Sequence, residues 1–271
     1  MRLTVATWNI NSVRLRIDLV AKFIKAVRPD VLCLQETKCP DAKFPLKRFR
    51  RLGYGHAALN GQKGYHGVVV LSRLPFDCFR VQDFCGKQDC RHICAVLGER
   101  AGLRDPLTLH NFYVPAGGDL PDPARNVKFA HKLAFLDEMR DHMALRPAAC
   151  EHAILLGDLN VAPLEHDVWS HRQMLRVVSH TPIECSKLTA VQAQGGWVDA
   201  MRMAVPEPTK LYTWWSYRAT DWEAADKGRR LDHIWIAPAL AGRMSELKVS
   251  KRLRGGLRPS DHVPVTATFE L

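Results

Sequence analysis

Six short polar clusters, each beside an apolar β-like run, carry the residue types that phosphate-ester hydrolysis needs: Trp8-Asn9-Ile10-Asn11, Gln35-Glu36-Thr37-Lys38, Tyr113, Gly157-Asp158-Leu159-Asn160, Leu231-Asp232-His233 and Ser260-Asp261-His262. A phosphodiester resists attack because its anionic oxygens repel a nucleophile, so a catalyst must neutralise charge, activate water and stabilise the departing oxygen. Glu36, placed after an apolar run, offers the hard oxygen that Mg²⁺ prefers. Asp158 follows a buried strand, with Gly157 allowing close approach and Asn160 two residues on, and suits the orientation and deprotonation of water. His262 suits donation to a phosphate oxygen if Asp232 holds its ring protonated, which leaves Asp261 free to reach the metal region. Tyr113 suits a donor to phosphate or to the leaving oxygen.

These clusters work together only if the elements carrying them converge. Leu3 to Trp8 is strand-like, and Ser12 is expected to cap a helix in which Val13, Ile17, Val20, Ile24 and Val27 recur at three to four residue spacing, ended by Arg28-Pro29-Asp30. Val31 to Leu34 then reads as a buried strand delivering Glu36. Further strands are expected at 67–71, 93–97, 107–113, 153–156, 231–236 and 262–269, from β-branched and aromatic content. A second helix is expected over 124–143, with Pro121 and Pro123 before it and Pro147 after. The Pro, Gly and Asp-rich loop 115–123 is a candidate rim, and the loop holding Gly61, Gly64 and Gly67 is expected to be flexible. Asn9, Glu36, Tyr113 and Asp158 fall at strand ends, whereas Asp232 and Asp261 fall at strand starts. All six clusters therefore meet on one edge if the last two strands run antiparallel to the first four. The expected fold class is α/β, a sandwich of sheets covered by helices.

At 271 residues and 46% hydrophobic the chain can bury a large core, and any boundary would divide the clusters, so one domain over 1–271 is expected. The first ten residues lack the basic and apolar regions of a secretory signal, and no run approaches the ~18 apolar residues of a membrane span. A soluble, cytoplasmic protein without membrane contact is expected. Eight cysteines at irregular spacing fit a reducing compartment. Cys85, Cys90, His92 and Cys94 lack the C-x-x-C knuckle of a zinc site and read as structural thiols. The net charge of +11 favours a polyanionic partner, with basic residues concentrated in Lys43 to Arg51 and from Lys227 to Arg258, where nine Lys or Arg face only Asp232 and Glu246. Metalloprotease, nucleophile-elbow and P-loop motifs are absent.

The residues Thr7-Trp8-Asn9-Ile10-Asn11, Leu34-Gln35-Glu36-Thr37-Lys38, Gly64-Tyr65-His66-Gly67, Phe112-Tyr113-Val114-Pro115, Gly157-Asp158-Leu159-Asn160, Arg230-Leu231-Asp232 and Pro259-Ser260-Asp261-His262 stand in one order along the whole chain. In that order the chain closely resembles the exonuclease III group of abasic-site (AP) endonucleases, within the endonuclease/exonuclease/phosphatase superfamily that includes DNase I. The resemblance implies a four-layer sandwich of two mixed β-sheets flanked by helices and dependence on Mg²⁺ or Mn²⁺. It also implies cleavage of double-stranded DNA 5′ to abasic sites, with possible 3′-5′ exonuclease and 3′-end-cleaning activity on damaged 3′ ends, by a monomer associated with the nucleoid when on DNA.

By position it makes Glu36 the principal metal ligand with Asn11 near it, places Asn9 beside Asp158, and has Asp158 and Asn160 position the water. Tyr113 and His262 then contact the phosphate, Asp232 orients His262, and Asp261 lies near a second metal position; Asn9, Asp158, Asn160 and His262 also border the metal. Lys38, His66, Trp214, Trp215, Arg229 and Leu231 are the matching DNA-binding candidates, with Tyr212 to Tyr217 bordering an abasic sugar pocket that excludes an intact base. The chain departs from the pattern at Ala116-Gly117-Gly118, where many members have Asn, and at Arg229, where some have a bulky aromatic. Rival readings are a superfamily member acting on phosphoinositides or sphingolipids, and a DNA-binding module without chemistry. The lack of an apolar membrane insertion opposes the first, and the full set of catalytic residue types opposes the second.

Overall fold

The computed structural model describes residues 1–145, 148 and 152–271. Pro147, expected to follow the second helix, lies outside the described residues. Strands are β1 (Arg2–Asn9), β2 (Val31–Gln35), β3 (His56–Asn60), β4 (Val68–Ser72), β5 (Cys78–Val81), β6 (His92–Leu97), β7 (Leu107–Tyr113), β8 (His152–Asp158), β9 (Val198–Asp199), β10 (Trp214–Trp215), β11 (Gly228–Arg229), β12 (Asp232–Ile236), β13 (Met244–Val249) and β14 (Val265–Glu270). The helices that matter below are α1 (Ile17–Val27), α2 (Leu46–Arg51), α3 (Val127–Ala144), α4 (His171–Met174) and α5 (Pro182–Gln194).

Among the described residues, one six-stranded sheet has the order β13-β14-β1-β2-β4-β3 and the other β5-β6-β7-β8-β12-β9. The two repeat one pattern of directions. In the first, β1 and β2 are parallel and β14 runs antiparallel to β1. In the second, β7 and β8 are parallel and β12 runs antiparallel to β8. Asn9 at the end of β1 thus corresponds to Asp158 at the end of β8, and the antiparallel relation required of the last two strands is present. The fold is the expected four-layer α/β sandwich.

Alternation along β1 explains the layering. Leu3 and Val5 join the core that also holds Leu109, Leu155 and Ile234 of the other sheet, while Ala6 and Trp8 pack with Val20, Phe23 and Ile24 of α1. Between the sheets Gln35 Nε2 donates to Asn111 Oδ1 at 2.7 Å, and Asn111 Nδ2 donates to the carbonyls of Leu34 and Val69. A buried amide pair must be satisfied in one registry, so this bond fixes how the sheets face one another.

Several boundaries differ from expectation for identifiable reasons. Ser12 does not cap α1: its φ is 86°, its N–H donates to Glu36 O and that of Val13 to Thr37 O, so the segment is tied to the strand ends and α1 begins at Ile17. The helix expected from 124 begins at Val127, because Asn126 caps α3 by accepting from Lys128 N at 3.0 Å. β14 starts at Val265 rather than His262, because Pro264 has no N–H to give a ladder. The glycine loop expected to be flexible is docked, with the carbonyls of His66 and Gly67 accepting from Lys38 N and Thr37 N. His92, in the cysteine-rich segment, stacks on Phe112 at 4.1 Å and pairs with His110. No described helix is long and apolar enough to cross a membrane.

Candidate active site

Parallel pairing puts Asn9 opposite Gln35 and Tyr113 opposite Asp158, and antiparallel pairing puts Asp232 opposite Asp158. His262 enters from a loop whose anchor points are Trp8 Nε1 donating to His262 O at 3.0 Å and Ser260 Oγ donating to Asn9 O at 2.7 Å. Gly157 has φ of 138°, and a Cβ there would collide with the carbonyl of Phe112, so only glycine lets β8 pass this closely to β7. Asn11, Glu36, Lys38, His66 and Asn160 are all left-handed, with φ from 45° to 53°. Such backbone is uncommon without glycine and costs free energy, and its concentration here marks where side-chain aim has taken precedence over backbone comfort.

The amide nitrogen of Asn9 joins the two halves, donating to Glu36 Oε1 at 2.9 Å and to Asp158 Oδ2 at 2.8 Å. Asp158 also accepts from Asn160 N at 3.0 Å and Asn160 Nδ2 at 3.1 Å. His262 Nδ1 lies 2.8 Å from Asp232 Oδ2, and Nε2 lies 3.7 Å from Asp158 Oδ2. Asp261 accepts from Trp214 Nε1 at 3.0 Å and Asn11 Nδ2 at 3.1 Å. Glu36, Asp158, Tyr113, Asp232, Asp261 and His262 thus come together from both sheets.

Burial alone would strip the proton from His262, but Asp232 and Asp158 outweigh it and raise its pKa to about 10. Burial pushes Asp158 up to about 7, against the pull of the imidazolium. Burial, then Glu36 and Asp158, push the Tyr113 phenol far up, so it stays a neutral donor. For Glu36, burial acts upward, yet Lys38 and Asn9 together hold it below the ordinary range. Burial, then Arg91, lowers His66 to about 4, so it is neutral beside the Tyr113 ring, 6.1 Å away.

Asp158, Asp232 and His262 present ligand atoms within 4.8 Å of one another. His262 Nδ1 is taken up by Asp232, so Nε2 is the ring nitrogen that faces a ligand. The chemistry of Glu36 fits a divalent cation: Glu36 Oε2 and Asn11 Oδ1 converge on Lys38 Nζ at 2.9 and 2.6 Å, two hard oxygens gathered around positive charge.

Trp214 is partly exposed beside Leu231, whereas Trp215 is buried with Tyr212 and Val263 and donates to Asp226. Arg229 lies over the Trp214 ring at 4.8 Å. Three supports escaped the sequence reading. Thr213 Oγ1 accepts from the N–H groups of Leu231 and Asp232 at 3.1 and 3.0 Å. Arg91 lies 4.8 Å over the Tyr113 ring and donates to its carbonyl. Lys132, wholly buried and salt-bridged to Glu184, donates to Asn160 O at 2.7 Å. None of the three left a sequence signal, and only Glu184, the partner of Lys132, did so, as the fourth residue of the capping-box pattern Thr181-Pro182-Ile183-Glu184.

The model of the endonuclease/exonuclease/phosphatase family matches residues 6–262. Exodeoxyribonuclease III of Haemophilus influenzae is 29% identical, over 97% of this chain and 98% of that relative. An AP endonuclease from Archaeoglobus fulgidus superposes with a TM-score of 0.89 at 30% identity, covering 99% of this chain and 100% of that one. A 3′ phosphatase from Neisseria, bound to a product DNA hairpin, gives 0.85 at 29% identity, covering 99% and 100%.

Proposed function

Because the chain belongs to the endonuclease/exonuclease/phosphatase family, within its exonuclease III group, we propose that it is a Mg²⁺- or Mn²⁺-dependent DNA repair phosphodiesterase that cuts duplex DNA 5′ to abasic sites and clears damaged 3′ ends. The observation that carries this reading is the Asn9 amide bonded to both Glu36 and Asp158, with the His262 imidazole 3.7 Å from Asp158. It couples a hard-oxygen site, a water-directing carboxylate and a phosphate donor within one hydrogen-bonded group.

In this reading Glu36, with Asn11, holds the divalent ion, which supplies charge neutralisation at the phosphoryl group. Asp158 accepts a hydrogen from the attacking water, oriented by the Asn160 amide. His262, kept protonated by Asp232, donates to a non-bridging oxygen as negative charge grows there. Tyr113 donates from the end of β7, beside Asp158. Water adds to phosphorus as its proton passes to Asp158, the P–O3′ bond breaks, and the departing oxygen takes a proton from solvent to become a 3′-hydroxyl. Trp214 and Leu231 form the wall of the sugar pocket, Lys38 and His66 flank the strand, and residues 1–271 act as one unit and as a monomer. The acidic site within a chain of net charge +11 favours DNA over a lipid headgroup.

The test is nicking of a duplex with a single tetrahydrofuran abasic analogue, with and without Mg²⁺. Asp158→Asn is expected to lower kcat by roughly 10²–10⁴-fold with folding retained. Full activity in that variant, or hydrolysis of lipid headgroups in place of DNA by the native chain, overturns the assignment.

A further inference from the structure

Among the described residues, Arg229 is a largely buried cation without a counter-ion within ion-pair distance. Its Nη1 donates only to neutral oxygens, Val178 O at 3.2 Å and Ser179 Oγ at 2.9 Å. Its Nε is buried with no partner, and among the described residues no carboxylate lies within ion-pair distance. The acid that acts on it from further away, Glu184, is committed to Lys132 and to the N–H groups of Ser179 and Thr181. A guanidinium removed from water without a paired acid is costly, and the fold tolerates such an arrangement best where a ligand completes it.

The place where a ligand would do so is visible. Arg229, Trp214, Trp169, Trp222, Arg218 and Lys227 line a cavity of about 380 Å³. Lys227 lies 4.6 Å over Trp169, as Arg229 does over Trp214, so the indole walls carry cations on their faces. The cavity joins the reacting centre through one side chain: Trp214 donates to Asp261 and its backbone bridges to His262. Indoles alone would suit a bare sugar, but with an uncompensated guanidinium the wall also suits an anion.

We propose that Arg229 is a specificity-determining residue that selects substrates bearing a second anionic group on the pocket side of the scissile phosphate. The inference rests on the nuclease reading above. Two sources supply that chemistry: the next phosphodiester of a continuous strand, or an acidic fragment esterified to a 3′-terminal phosphate.

Competing pairs of duplexes distinguish them. One pair has recessed 3′ ends carrying a glycolate or a neutral glycolamide phosphodiester. The other has an internal tetrahydrofuran whose 3′-side linkage is phosphate or neutral methylphosphonate. The native enzyme is expected to favour the charged member of at least one pair about tenfold in kcat/KM, and Arg229→Gln to bring that ratio near one, with Arg229→Lys intermediate. The pair that discriminates identifies the source. Equal native rates within both pairs overturn the inference even without a variant, as does an Arg229→Gln enzyme that loses charged and neutral substrates in equal proportion. A native chain that cuts none of the four overturns the nuclease reading itself.

Discussion

His262 Nδ1 and Asp232 Oδ2 stand 2.8 Å apart with both side chains buried. Burial disfavours the imidazolium, Asp232 and Asp158 favour it, and the carboxylates win, raising the His262 pKa to about 10. Because the folded value lies above the ordinary ~6.5 for histidine, the stabilisation is complete below about pH 6.5 and is lost as pH rises through about 10. Activity that needs the protonated ring should follow the same upper limit. In Asp232→Asn the alkaline limb of kcat/KM is expected to move toward neutrality, with a loss of roughly 10²–10⁴-fold at pH 8. An unchanged alkaline limb in that variant would show that the imidazolium is not the phosphate donor.

Lys132 and Glu184 form an ion pair shielded from water, and Lys132 also donates to Asn160 O and, at 3.3 Å, to Ala116 O. Glu184 in turn accepts from Ser179, whose hydroxyl accepts from Arg229. Removing one member leaves the other charged in a dry interior. Lys132→Met or Glu184→Gln alone is therefore expected to cost about 3–5 kcal/mol, and the double variant clearly less than the sum. Urea denaturation of the three proteins measures this, and additive losses would mean the two charges are not coupled.

This pair also marks where the sequence stops being informative. Glu36, Asp158, Asp232 and His262 were legible because each chemical group sits inside a short string beside a strand, and strand polarity then determines which edge receives it. The direction of β12 and β14 followed from placing Asp232 and Asp261 on that same edge. Lys132, by contrast, lies among the charges of α3 and looks like a solvated residue; only the packing of α3 against α5 turns it inward. Thr213 was hidden for another reason, since its value comes from two N–H groups eighteen and nineteen residues away. The two-residue strands β9, β10 and β11 are too short to leave any periodicity.

Arg230 is wholly buried between Asp167 and Asp199, with Nε and Nη2 donating to Asp167 at 2.8 Å and Nη1 to Asp199 at 2.6 Å. It adjoins Leu231 and so sets the strand from which Asp232 projects. Burial acts to raise the Asp167 carboxyl, but Arg230 and Arg202 outweigh it and hold the group below the ordinary aspartate range. A depressed folded value contributes stability that is present above about pH 4 and disappears as pH falls through the folded pKa. Asp167→Asn is accordingly expected to lower stability at pH 7 by about 3–5 kcal/mol and to flatten the acid side of the stability profile. Thermal melts from pH 3 to 7 test this, and parallel curves for the two proteins would assign the acid sensitivity to other carboxylates.

Lys38 bears on metal binding directly. Its ammonium lies 2.9 Å from Glu36 Oε2 and 2.6 Å from Asn11 Oδ1, the same two oxygens proposed to hold the divalent ion. An ion and an ammonium cannot share those lone pairs, so Lys38 must swing away when the metal enters, and its bonds are part of the cost of binding. Lys38→Ala removes that competitor, and also removes the charge that helps keep Glu36 ionised. Burial then acts on Glu36 with less opposition, but an entering divalent cation itself favours the ionised carboxylate, so release of the competitor should dominate. Mn²⁺ titration followed by electron paramagnetic resonance is expected to show tighter binding in the variant by about tenfold, or ~1.4 kcal/mol. Weaker binding than in the native protein would show that Lys38 supports the cation site through the charge of Glu36 rather than competing for it.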